Sequence, residues 1–126
     1  MKKILIIDDN NTFQKTISDK LKSSGYETIS AFDGLEGLDI AKGEKPDLIL
    51  LDIKMPTMDG MTFLHKLRED TGSKEVPVFI TSNMSTITNI GEGVSLGVKG
   101  YIIKSDETLD TIVKEVNNFF DSNDKK

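Results

Sequence analysis

Cysteine is absent from the 126-residue chain, which removes disulfides, thiolate metal sites and a cysteine nucleophile together. The single histidine, His65, is too little for an imidazole-based zinc or copper centre. Long apolar runs are also missing. Behind Met1-Lys2-Lys3 the run Ile4 to Ile7 stops at Asp8-Asp9, well short of the roughly 7–15 apolar residues of a secretory leader. No stretch approaches the roughly 18 residues needed to span a bilayer, so a cytoplasmic location is expected. Basic charge is in deficit: 16 Lys and Arg against 21 Asp and Glu leave a net charge of −5. That balance disfavours non-specific nucleic-acid binding, which needs clustered cations. The chain is expected either to meet partners that tolerate an acidic surface or to hold a cation. What remains, 37% hydrophobic and 29% charged residues, is the composition of one soluble domain large enough to bury a core.

Three short apolar runs lack alternation: Ile4–Ile7, Leu48–Leu51 and Val78–Ile80. Such runs suit strands covered on both faces, as in a parallel sheet. Tyr101-Ile102-Ile103 after Gly100 is a fourth strand candidate, and the mixed segment Tyr26–Ala31 reads as an edge strand. Helical repeats lie between them. Phe13, Ile17 and Leu21 recur at four and end before Gly25, a suitable residue just past a helix. Leu35, Leu38 and Ala41 recur at three, and Leu64 and Leu67 follow Gly60, with Lys66 and Arg68 suited to the helix end. The clearest stripe is Leu109, Ile112, Val113, Val116, Phe119 and Phe120, with Asp106 and Glu107 expected in its first turn. Asn83–Leu96 is the weakest helix, because Gly91 and Gly93 each cost about 1 kcal/mol relative to alanine. Strands alternating with helices predict an α/β doubly wound parallel sheet with helices on both faces.

The predicted strands end in chemistry. Asp8-Asp9 closes the first, Asp52 the third, Thr81-Ser82 the next and Lys104 the last. Ligands of parallel α/β sheets bind beyond the carboxyl ends of the strands. If these strands are neighbours, three carboxylates converge, and they repel unless a cation or protons intervene. All-oxygen donors point to Mg²⁺. A metal, an ammonium and a hydroxyl together offset and bind a phosphoryl group, and one carboxylate is a possible nucleophile. Each group alone has a blander role: an Asp pair as turn or helix cap, Lys104 as a solvated surface charge, Thr81 and Ser82 as caps. Their coincidence at one end of the predicted strands carries the functional reading.

At these residues the chain resembles the receiver domain of two-component response regulators, CheY-like, over essentially its whole length. The resemblance rests on Ile6-Ile7-Asp8-Asp9-Asn10, Leu51-Asp52-Ile53-Lys54-Met55-Pro56-Thr57-Met58-Asp59-Gly60, Val76-Pro77-Val78-Phe79-Ile80-Thr81-Ser82 and Gly97-Val98-Lys99-Gly100-Tyr101-Ile102-Ile103-Lys104. It implies a flavodoxin-like (βα)5 sheet of order 2-1-3-4-5, the family's fold. It also implies Asp52 as phosphoacceptor and Mg²⁺ held by Asp8, Asp9, Asp52 and the Lys54 carbonyl. Ser82, thirty residues after Asp52, is implied as the switch hydroxyl, with Thr81 the competitor one register step away. Lys104 is implied as the phosphoryl-pairing group and Tyr101 as the switch aromatic. Pro56, Asp59 and Gly60 fit a turn behind Asp52, with Gly60 expected to relieve backbone strain.

Three departures from the family pattern involve four positions. Ser105 stands where a proline usually follows the lysine, so either a trans bond or a strained cis bond is expected, or Ser105 caps the last helix. Asn83 replaces a small residue and narrows access to Asp52. Lys54 and Met84 offer no obvious water-positioning group, which predicts a long-lived phosphoryl state.

Gly91-Glu92-Gly93 falls short of a dinucleotide fingerprint and follows no strand. Asp52-Ile53-Lys54 lacks the second aspartate of a D-x-D phosphatase, and His65 is expected to be exposed and outside the chemistry. The reading is a stand-alone receiver over residues 1–121 with a polar, fraying tail at 122–126. It is expected to take its phosphoryl group from a histidine kinase or phosphotransfer protein, not to act as an enzyme on external substrate, and to touch neither nucleic acid nor membrane. Its output is expected as altered binding of the face formed by the fourth helix, fifth strand and last helix, in a monomer or phosphorylation-dependent dimer. The alternatives are a phosphorylation-independent interaction module and a receiver cut from a longer regulator.

Overall fold

The unalternating apolar runs pair as parallel strands. The computed structural model describes residues 1–55, 57–70, 75–82, 95–105 and 107–124. Its elements are β1 (Lys3–Ile7), α1 (Asn11–Ser23), β2 (Glu27–Ala31), α2 (Gly34–Glu44), β3 (Leu48–Asp52), α3 (Gly60–Glu69), β4 (Val78–Ser82), β5 (Gly100–Ile103) and α4 (Leu109–Asp124). The five strands form one parallel sheet, as the patterning predicts, in the order β2-β1-β3-β4-β5 that the family resemblance implies. Asn83, Met84, Gly91, Gly93 and most of the expected fourth helix lie outside the described residues, as do Pro56 and Asp106.

Both faces of the sheet are covered, which is why its central strands need no polar face. Leu5, Ile7, Ile49, Leu51, Val78 and Ile80 pack under α2 and α3. Ile4, Ile6, Leu48, Leu50, Phe79 and Ile102 pack under α1 and α4. Residues 4–7 and 48–51 are fully buried, each side chain contributing about 1.5–3 kcal/mol. This inner rigidity fixes where the strand ends lie.

The caps follow local chemistry. Asn10 Oδ1 accepts the Phe13 N–H at 2.9 Å and starts α1. The helix ends in paired bonds from Gly25 N–H to the Lys22 carbonyl and Tyr26 N–H to that of Leu21, with Gly25 at φ 96°. Asp33 and Asp59 cap α2 and α3. At α4 the cap is Thr108, whose hydroxyl accepts the Thr111 N–H at 3.1 Å. Ser105 is therefore not the cap, and Asp110 rather than Glu107 occupies the first turn. The Lys104–Ser105 peptide bond is trans. α4 continues to Asp124, into the segment 122–126 expected to be a fraying tail.

Leu35 departs from its expected stripe. It is 51% exposed, while Leu38 and Ala41 are buried. A strict three-residue repeat drifts around a helix of 3.6 residues per turn, and the sheet side of α2 is taken by Gly37, where a Cβ would lie 2.5 Å from the Ile7 side chain. His65 is exposed on α3. Arg68, half-way between solvent and core, donates from Nε to the Leu96 carbonyl at 2.6 Å and from Nη1 to that of Val76 at 2.7 Å, and burial lowers its pKa. At the opposite edge, Lys2 lies 5.5 Å from the Phe120 ring centre, and Phe120 also packs on Tyr26 at 5.6 Å. No helix among the described residues is long and apolar enough to cross a membrane.

Candidate functional site

Because β1 and β3 are neighbours with Ile7 level with Leu51, the next residues on each, Asp8 and Asp52, emerge side by side. Carboxylate oxygens of Asp8, Asp9 and Asp52 lie within 4.8 Å of one another. Asp8 and Asp52 are buried and Asp9 is exposed, so the cluster opens to solvent on one side. Lys104, from the turn after β5, reaches across β4. Its Nζ contacts Asp8 Oδ2 and stands 3.7 Å from Asp52 Oδ1. Its backbone N–H donates to the Ser82 carbonyl at 2.8 Å.

Three carboxylates against one ammonium leave the site short of positive charge. Burial, first, and then the Asp8 charge push the Asp52 carboxyl up to about 6; Lys104 opposes this, Asp9 adds to it, and the Ile53 backbone N–H opposes it again. An all-oxygen donor set with excess negative charge fits a hard divalent cation such as Mg²⁺. The Lys54 carbonyl is two residues past Asp52, and the Lys54 side chain is exposed.

The loop behind Asp52 is built around Gly60. A Cβ there would lie 2.4 Å from the Asp52 carbonyl oxygen and 2.8 Å from Ile53 Cα, and the Gly60 N–H donates to the Ile53 carbonyl at 2.8 Å. Gly60 is thus required by close approach, not by the conformational relief expected of it; positive φ falls instead on Thr57, at 71°, a costly value for a β-branched residue.

Thr81 and Ser82 are both buried at the end of β4. Register pairs Thr81 with Asp52 and Ser82 with Ile103. Ser82 therefore stands one step nearer the carboxyl end of the strands than Thr81. Tyr101 is set apart from the acids. It is half-buried on β5 opposite Ile80, packed against the core beneath α2 and α3, and burial raises its pKa.

Three residues not singled out by sequence reasoning shape the site. The Asn10 N–H donates to Asp8 Oδ1 at 2.9 Å. Buried Gln14 donates from Nε2 to the carbonyls of Ile6 at 2.8 Å, Asp8 at 3.2 Å and Ala31 at 2.7 Å, clamping the end of β1 to that of β2. Phe13 places its ring 4.5 Å from Lys104 Nζ. A glutamine on the otherwise apolar face of α1 was the available signal for Gln14; Phe13 reads in the sequence only as a core position.

Comparison with known proteins agrees with this geometry. The family model described as response regulator receiver domain matches residues 4–117. The probable transcriptional regulator ycf27 of Porphyridium aerugineum is 35% identical over 116 residues, 90% of this chain and 47% of that protein. The sensor histidine kinase CheAY of Helicobacter pylori is 42% identical over 115 residues, 88% of this chain and 14% of that protein. The chain thus spans less than half the length of either relative. The solved receiver domain of the Francisella response regulator 1452 superposes with a TM-score of 0.85 at 30% identity, covering 98% of this chain and 99% of that one.

Proposed function

From the chain's membership of the response regulator receiver family, we propose that it accepts a phosphoryl group onto Asp52 from the phosphohistidine of a histidine kinase or phosphotransfer protein. The observation that carries this reading is the convergence of Asp8, Asp9 and Asp52 within 4.8 Å with Lys104 3.7 Å from Asp52. An Asp52 carboxylate oxygen attacks phosphorus, and the phosphorus–nitrogen bond of the donor breaks with its electron pair left on the imidazole nitrogen. Burial of Asp52 strips water from the nucleophile and limits hydrolysis of the product. Asp8, Asp9, Asp52 and the Lys54 carbonyl would hold Mg²⁺, which when bound neutralises charge on the phosphoryl oxygens. Lys104 pairs with a second phosphoryl oxygen, and Ser82 donates its hydroxyl to a third.

Drawing Ser82 toward the phosphoryl group opens space beside β5, and Tyr101 turns into it. The face of β5 and its flanking helices then presents a changed surface to an output partner, in a receiver acting as monomer or phosphorylation-dependent dimer. A receiver domain over residues 1–121, a cytoplasmic location and a long phosphoryl lifetime belong to the same proposal.

Incubation with Mg²⁺ and acetyl phosphate tests it by intact mass. The wild type should gain one phosphoryl group and Asp52→Asn none. No gain on the wild type, or an equal gain on the variant, overturns the assignment.

A further inference from the structure

Lys104 is held from three sides, and one of them carries no charge. Its ammonium contacts Asp8, stands 3.7 Å from Asp52 and lies 4.5 Å from the centre of the Phe13 ring. Phe13 is itself anchored: it sits in the first turn of α1, its N–H bonded to Asn10 Oδ1, and it packs half-buried against the core beneath α1 and α4. The ring therefore has a fixed place from which to attract a cation through its negative face. The Lys104 side chain is only 17% exposed, so this attraction acts where water screens it weakly.

We propose that Phe13 is a positioning residue: its ring face holds the Lys104 ammonium at the rim of the acid cluster, oriented toward a phosphoryl group arriving at Asp52. The proposal rests on the phosphoacceptor reading above. The physical reason is the difference between a ring and a carboxylate as a partner. Two carboxylates alone draw the ammonium down between them, where it neutralises the very oxygens needed for a cation and for attack. The ring adds a third attraction beside the two carboxylates, 4.5 Å from the ammonium; it carries no formal charge, cannot ligate a metal ion and offers no hydrogen-bond acceptor that an anion must displace. An ammonium has three N–H donors, and a ring on one side leaves a donor free for an incoming oxygen.

The test compares Phe13→Leu, which keeps apolar bulk but removes the face, with Phe13→Tyr, which keeps the face. In metal-free protein, the ε-methylene proton signals of Lys104 should lie upfield in the wild type and Phe13→Tyr through the ring current, and return to the ordinary lysine position in Phe13→Leu. With saturating Mg²⁺ and acetyl phosphate, Phe13→Leu should take up phosphoryl roughly three- to thirtyfold more slowly, the range expected of a partly desolvated cation–ring contact, and Phe13→Tyr should restore the rate. Unshifted Lys104 signals in the wild type, or a Phe13→Leu rate equal to wild type, overturn the proposal; so does a slow rate that Phe13→Tyr fails to restore. If the wild type takes up no phosphoryl group, the phosphoacceptor reading falls and the signal comparison alone decides whether the ring holds the ammonium. Circular dichroism verifies folding, and Phe13→Met replaces Phe13→Leu if the latter is unfolded.

Discussion

Replacing Asp52 by Asn removes a carboxylate whose ionisation the fold resists, so without a cation the variant should be the more stable protein at neutral pH. Asp52 is raised from 3.8 to about 6, and at about 1.4 kcal/mol for each tenfold change in proton affinity that difference has a ceiling of about 3 kcal/mol. The open side of the cluster lets water screen part of it, leaving about 1–2 kcal/mol. The sign follows from linkage: the native state holds this proton more tightly than the unfolded chain. Its contribution to stability is full below about 3.8 and is lost as the pH rises through about 6. Urea unfolding in EDTA at constant ionic strength should therefore show Asp52→Asn close to wild type at acid pH and more stable by that margin at pH about 7.5. Glu115, which burial and neighbouring Glu107 push up to about 7, titrates in both proteins and cancels in the difference. Adding Mg²⁺ should stabilise the wild type preferentially and shrink or reverse the gap. A variant less stable than wild type in EDTA at neutral pH, or a difference independent of pH, refutes the account of the site as an excess of buried negative charge.

Two further substitutions test the scaffold. Gly60→Ala forces a Cβ to within 2.4 Å of the Asp52 carbonyl oxygen, so the loop must shift, lowering stability by about 1–3 kcal/mol in urea unfolding and slowing phosphoryl uptake by acetyl phosphate. Gln14→Leu removes the donor shared by three carbonyls at the ends of β1 and β2 and should cost about 1–3 kcal/mol, read by the same unfolding measurement; no loss would show that water replaces the amide.

The sheet was legible because its central strands are buried on both faces, and four adjacent apolar residues such as Ile4–Ile7 admit few other uses in a chain this polar. The acids were legible because Asp8, Asp9 and Asp52 follow such runs directly. Strand order came from the family resemblance, since apolar patterning does not say which strands adjoin. Local signals failed where competing residues are chemically alike. Ser105, Asp106 and Thr108 all suit the start of α4, and only the hydrogen bond to Thr111 distinguishes Thr108. α4 runs to Asp124, past the last apolar residues of its stripe, Phe119 and Phe120, so no periodicity marks its end. Gly60 was read as a flexible residue when its role is steric, a fact that depends on where the Asp52 backbone passes. Phe13 over Lys104 joins residues from opposite ends of the chain, and no spacing within α1 announces it.

Phe120 meets Lys2, one position ahead of β1, and Tyr26, one position ahead of β2. The last turns of α4 thus lie at the pole where strands begin, whereas the carboxylates lie at the pole where strands finish. Polypeptide spliced onto either terminus would hang from the far pole, leaving the mouth above Asp52 clear for a docking donor. A fluorescent or affinity fusion at either end should consequently report on the switch without blocking its loading.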